Sequence, residues 1–263
     1  MSLLIFLLKI SLPPVLVAGM SLAARRFGPT IGGLLVGLPW MTGPVLLFLA
    51  LDKGEAFALQ ACVGIELAVL GMGAFLLGYG AMTSVARWPA CLAVAAAAYG
   101  IVGLLSPLLE IELPGAAILA AATLIGTYVL LPRPQAAPRG GTLPRWDIPA
   151  RMASTLVLVA IIMLSADAIG GRRSGIIASY PVIVTVIGSF TYHQWGRDAV
   201  LRILRGATLS LLGFVGFFLA VGLAMPVIGL VPAFLAGVAT TLTISATSLG
   251  LNVWLLRRRA HSA

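Results

Sequence analysis

Polar residues in this chain are gathered into short clusters, and the stretches between them are apolar for about twenty residues at a time. Nine such stretches can be marked out: 3–24, 31–51, 57–82, 88–108, 113–131, 152–169, 175–192, 199–223 and 227–256. At a rise of about 1.5 Å per residue, each reaches across a hydrocarbon core of about 30 Å as a helix. The stretches are continuous rather than alternating, and far longer than a membrane strand of about ten residues, so strands are not expected. Stretch 3–24 lacks a basic leader and is too long for the apolar part of a signal peptide, so it counts as a membrane helix. One substantial loop, 132–150, is rich in Pro, Gly and Arg.

Composition fits this pattern. Hydrophobic residues make up 60% of the 263, charged residues 10%, and the mean hydropathy is +1.08. So few charges leave too little polar surface to clothe a soluble fold of this size. The net charge of +9 would suit nucleic acid, but the basic residues fall between apolar stretches without interleaved aromatics, so no nucleic-acid partner is expected. Nine crossings gather Arg25, Arg26, Arg87, Arg133, Arg139, Arg145, Arg151, Arg197, Arg202, Arg205 and Arg257 to Arg259 on one side. Lys53, Arg172 and Arg173 fall on the other, with Lys9 inside the first stretch. A tenth crossing, made by splitting the last stretch, would carry the Arg257–Arg259 triplet to the wrong face. The positive-inside rule therefore predicts nine spans, the N-terminus outside and the C-terminus in the cytoplasm of a bacterial inner membrane. Cys62 and Cys91 lie inside apolar stretches without ligand spacing, which predicts buried inert thiols and no metal.

The chain also repeats itself. A shift of 142 residues lays 15–80 on its second half without gaps, placing Gly28, Gly33, Gly54, Gly64, Gly71 and Gly80 over Gly170, Gly175, Gly196, Gly206, Gly213 and Gly222, and Pro39 over Pro181. Shared hydrophobicity would match Leu with Val; it would not register six glycines and a proline. One further residue of shift puts Trp88-Pro89-Ala90 over Val231-Pro232-Ala233. The reading is two four-helix units, 1–110 and 151–263, joined by a linker helix at 111–132 and a basic cytoplasmic loop at 133–150. Five spans precede the second unit, so it enters the membrane from the opposite face, an organisation associated with alternating-access transporters.

Tyr180-Pro181, Gly196, Ala199 and a long terminal helix closed by basic residues give 156–257 a further likeness. This half resembles the GlpM family of small four-helix bacterial inner-membrane proteins. The resemblance implies a fused, inverted pair of such units and an inner-membrane location; it implies no catalytic residues.

Candidate chemistry sits at the interruptions. The second helix of each unit carries a Gly/Pro break, around Pro39, Trp40 and Thr42 in one and around Tyr180, Pro181 and Thr185 in the other. Proline removes a backbone donor and frees a carbonyl inside the membrane; paired breaks in opposed units mark a central site, though Gly and Pro also serve plain helix packing. Glu66 is the one acid deep within a span, with Thr208 at its repeat position. An intramembrane carboxylate is a candidate for a coupling proton or a cationic substrate, the plain alternative being a neutral acid bonded to a neighbouring helix. Lys9 is placed to pair with Glu66 or to snorkel to the interface. Thr241, Ser245 and Ser248 share one face of the last helix, with Asn252 extending it, and are candidates to line a polar cavity; hydroxyls bonded back to their own helix are the plain alternative. Asp167 with Arg172 and Arg173 reads as a solvated outer cluster, and His193 as a surface histidine.

No nucleophile–base pair, metal cluster or phosphate loop is visible, so neither an enzyme nor a cofactor is expected. The sequence predicts a small secondary transporter of a solute or ion, possible as a monomer, with Glu66 as coupling group. The alternative is a non-transporting accessory protein of an envelope lipid or polysaccharide system.

Overall fold

The computed structural model describes residues 3–40, 42–135, 144–169 and 180–261, with side-chain surroundings given for fewer of them near both termini and around 163–169. Among the described residues every regular element is helical. In chain order these are α1 (Leu3–Phe27), α2 (Pro29–Val36), α3 (Thr42–Lys53), α4 (Glu55–Met82), α5 (Trp88–Leu105) and a single 3₁₀ turn (Ser106–Leu108). Then come α6 (Leu113–Leu130), α7 (Asp147–Ile169), α8 (Val182–Trp195), α9 (Arg197–Ile228) and α10 (Leu230–His261). Among the described residues α4, α5, α6, α9 and the Leu230–Ser248 part of α10 are each long and apolar enough to cross a membrane. Large apolar side chains such as Phe48, Ile101, Ile118, Val129 and Leu235 stand exposed on the outside, a surface suited to lipid and not to water. The protein is a helical, multi-pass membrane protein.

Two of the expected spans are not single helices. Stretch 31–51 is divided: α2 ends at Val36, α3 begins at Thr42, and neither is long enough to cross alone. In stretch 175–192, α8 starts only after Pro181; residues 170–179 lie outside those described. The loop expected over 133–150 is shorter at its far end, because α7 already begins at Asp147.

The two breaks share one construction. At each, the proline is the centre of a three-residue turn: the Trp40 N–H donates to the Leu38 carbonyl at 2.8 Å, and the Val182 N–H to the Tyr180 carbonyl at 2.7 Å. Pro181 has φ −75° and ψ 66°, the inverse γ-turn, which the ring-fixed φ of proline favours. The carbonyl of each proline then opens the next helix, accepting from Gly43 at 3.1 Å and from Thr185 at 3.0 Å. Farther on, Gly54 and Gly196 end α3 and α8 and start α4 and α9 with φ +87° and +81°. With ψ of 168° and −172°, that backbone is open almost only to glycine. Every one of these features recurs at the spacing of 142.

The core is formed by α4 and α9. They run antiparallel: the Cβ position of Gly222 lies 3.5 Å from the Cys62 Cβ, and that of Gly80 lies 3.7 Å from a Leu204 methyl. α6 packs along both, with Leu131 against Gly80 and Leu113 against Gly222. α2 lies on α9 backbone to backbone at Gly33 and Gly206, where a Cβ on Gly206 would stand 2.7 Å from the Thr30 carbonyl oxygen. α10 meets α9 the same way, the Cβ position of Gly213 lying 2.7 Å from the Ser245 hydroxyl. Small residues let membrane helices approach this closely, and dispersion contacts and interhelical hydrogen bonds then hold them.

Candidate functional site

Glu66 is fully buried, and among the described residues no hydrogen-bond donor reaches either carboxylate oxygen. Its place follows from the register. Cys62 and Glu66 are one helical turn apart on α4, as Gly222 and Phe218 are on α9. Since Cys62 meets Gly222 in an antiparallel pair, Glu66 is level with Phe218. The hairpin at Gly54 gives a second bearing: Thr42, the first residue of α3, and Glu66 stand equally far from that glycine, so they too are level.

Around that level lie aromatic rings. Phe218 packs on Phe214 and Phe217 with centroids 4.7 and 4.9 Å away, and Phe217 on Phe234 at 5.7 Å. Phe217 also touches the Pro39 break, 3.5 Å from the Cβ position of Gly43. The Pro181 break rests on the equivalent ring: Tyr180 meets Phe75 edge-on at 5.8 Å and Tyr99 at 5.5 Å, and the Thr185 hydroxyl donates to the Tyr180 hydroxyl at 3.1 Å. Pro39, Thr42, Tyr180, Pro181 and Thr185 thus lie at the two breaks. Trp40 does not face inward: it is 45% exposed, and its indole N–H donates to the Leu35 carbonyl at 2.9 Å.

The remaining candidates are dispersed. Thr208 is buried and bonded to the Leu204 carbonyl of its own helix, about 15 Å along α9 from the Glu66 level. Thr241 donates to the Gly213 and Gly237 carbonyls, and Ser245 abuts Gly213, so Thr241 and Ser245 lie at the α9–α10 contact. Thr240, Thr243 and Thr247 bond back to their own helix. The side chains of Lys9, Asp167 and Asn252, and residues Arg172 and Arg173, lie outside the described residues.

A second charged site sits at the basic end of the molecule. Asp147, fully buried, is held by Arg25 of α1, by Gln194 of α8 and by Arg151 one turn along α7, whose Nε donates at 2.9 and 3.1 Å. Arg151 is 2% exposed; it also donates to the Gln194 side-chain Oε1 at 2.9 Å and lies over the Phe190 ring at 5.1 Å. Both residues precede the apolar run of α7. Burial pushes the Asp147 carboxyl up, but Gln194, Arg151 and Arg25 together hold it below the usual carboxylate range. The sequence had offered these arginines only as loop charges that set topology, and gave no sign that α1, α7 and α8 converge on Asp147.

No protein-family model, curated protein or solved structure matches the chain.

Proposed function

We propose that the protein is a small secondary transporter in which two inverted four-helix units alternate access to a central site, with Glu66 carrying the coupling proton or ion. The observation that carries the reading is the pair of proline breaks, which share the same three-residue turn and the same helix-opening hydrogen bond and are separated by the repeat spacing. The antiparallel run of the two repeat-equivalent core helices, α4 and α9, supports the inversion. So does the pairing of α1 with α7, where Arg25 meets Asp147 and Ser21 faces Arg151. Counting α2 with α3, and α8 with the segment before it, as discontinuous spans gives nine crossings, and every helix direction above agrees with that count. On this reading each half is a GlpM-like unit, and Arg25, Asp147, Arg151 and Gln194 close the cytoplasmic end.

A buried acid without a partner is costly in a membrane, and such groups in carriers bind protons, cations or substrate. The start of α3 at the Pro39 break, level with Glu66, supplies free backbone groups for a solute. The test is solid-supported-membrane current from proteoliposomes under a pH gradient, challenged in turn with panels of organic cations, carboxylates and neutral solutes. At least one panel should evoke a protein-dependent current that the Glu66→Gln variant lacks. Silence with every panel would turn the reading to a non-transporting membrane protein.

A further inference from the structure

The structure holds one further feature on the Glu66 side of α4. A groove of about 330 Å³ runs between α4, α5 and α6, open on its outer side and lined by Leu70, Gly73, Ala74, Leu77, Thr123 and Gly126 among others. Its lining is almost wholly apolar, and the α5 and α6 surfaces around it present exposed Ile101, Leu104, Ile125 and Val129, so it opens toward lipid. Leu70, Gly73 and Leu77 continue the helical stripe that begins at Glu66, with Leu70 one turn away. The lining of this groove, of a size to take a drug-like molecule, stops at Leu70, one turn short of Glu66, whose carboxylate is buried beyond it without a hydrogen-bond partner among the described residues and is level with Phe218 and the rings packed on it.

We propose that Glu66 and this groove form a binding site for a lipophilic organic cation, entered from the bilayer. The inference rests on the transporter reading and gives it a substrate class. The groove suits an apolar body that partitions into lipid. The carboxylate selects positive charge, and aromatic faces at the same depth favour a diffuse cation over a hydrated one. A proton and the cation compete for the same carboxylate, so binding of one releases the other. Among the described residues few other groups bear on that competition; the Lys9 side chain lies outside them. Cys62 is the titratable neighbour on α4; residues 213–225 of α9, 42–51 of α3 and 113–124 of α6 carry none, and Glu112 stands exposed ahead of α6. Gly126 offers a way to fill the groove without touching the acid, because a Cβ there meets nothing within 4 Å.

The probe is radiolabelled tetraphenylphosphonium, measured by equilibrium binding to the purified full chain in neutral detergent, with tetraphenylborate as the size-matched anion. Saturable phosphonium binding is expected, weakening by up to about tenfold for each unit the pH falls on the acid side. Glu66→Gln should abolish it, Glu66→Asp should keep it with a shifted pH midpoint, and Gly126→Leu should weaken it while thermal unfolding stays near wild type. Absence of binding, equal binding of the borate, or wild-type binding by a folded Glu66→Gln protein would overturn the proposal. A chain that binds no phosphonium yet carries current with another solute panel would leave the transporter reading standing and remove this substrate class alone.

Discussion

At Asp147 one carboxylate answers two arginines, and the penalty for removing it falls on the residue left behind. Arg151 is buried, so Asp147→Asn strands a guanidinium charge in a site built to neutralise it. Breaking a buried pair from one side costs about 3–5 kcal/mol, and denaturant unfolding in detergent should show a loss of that size. The pH dependence has a definite sign. Folding lowers the pKa of Asp147, so the contribution of the network is complete above the ordinary carboxylate range and is lost as pH falls through the lower folded-state value. Wild-type stability should therefore drop on acidification more steeply than that of the Asn variant, whose curve lacks this step. Glu66 is the opposite case, a carboxylate for which no compensating partner is described, and its cost is the reason to assign it work.

Among the helices, the repeat makes predictions come in pairs. Gly54 and Gly196 hold the same glycine-only backbone, so Gly54→Ala and Gly196→Ala should each cost about 1–3 kcal/mol, and should do so about equally. A large disparity in their unfolding midpoints would argue against equivalent hairpins. The elements were legible in the sequence where their cause is local: proline and glycine write a break or a turn into the chain wherever they fall, so both the Pro39 and Pro181 interruptions were readable. What stayed hidden depends on contacts far apart in sequence. Arg25 and Asp147 are separated by 122 positions, and nothing in either neighbourhood announces the other. The same blindness affected the hydroxyl stripe of α10. Its spacing fixed one face for Thr241 and Ser245 but not what that face meets, which is the bare backbone at Gly213. Thr208 holds the repeat position of Glu66 in the sequence, yet the antiparallel run of α4 and α9 sends the two toward opposite ends.

For the whole molecule, the proposed inversion is a statement about sides. The Gly54 turn and the Gly196 turn should face opposite compartments, the second one cytoplasmic with Arg197, Arg202 and Arg205. In right-side-out vesicles an impermeant maleimide should label Lys53→Cys directly and Arg197→Cys only after permeabilisation; the native thiols, Cys62 and Cys91, are buried. Labelling of both from one side would end the inverted model while leaving the helical fold intact. Among the described residues the arginine-rich end is closely braced: the Tyr192 hydroxyl donates to the Ala86 carbonyl at 2.8 Å, Arg205 to the Tyr128 and Leu131 carbonyls at 3.0 and 2.9 Å, and the Gln135 N–H to Asp198 at 2.8 Å.

The placement of α6 bears on how such a chain is made. During synthesis α6 emerges after α4 and α5 but before any of the second half. Its Thr127 hydroxyl reaches the Gly73 carbonyl at 3.4 Å and its end lies on Gly80, so it can dock while translation continues. Leu131 can be seated on Gly80 before α9 exists, whereas Leu113 finds its place against Gly222 only when α9 arrives. A substitution in α6 should therefore disturb the packing of α9, which has α6 as a neighbour, as well as that of α4.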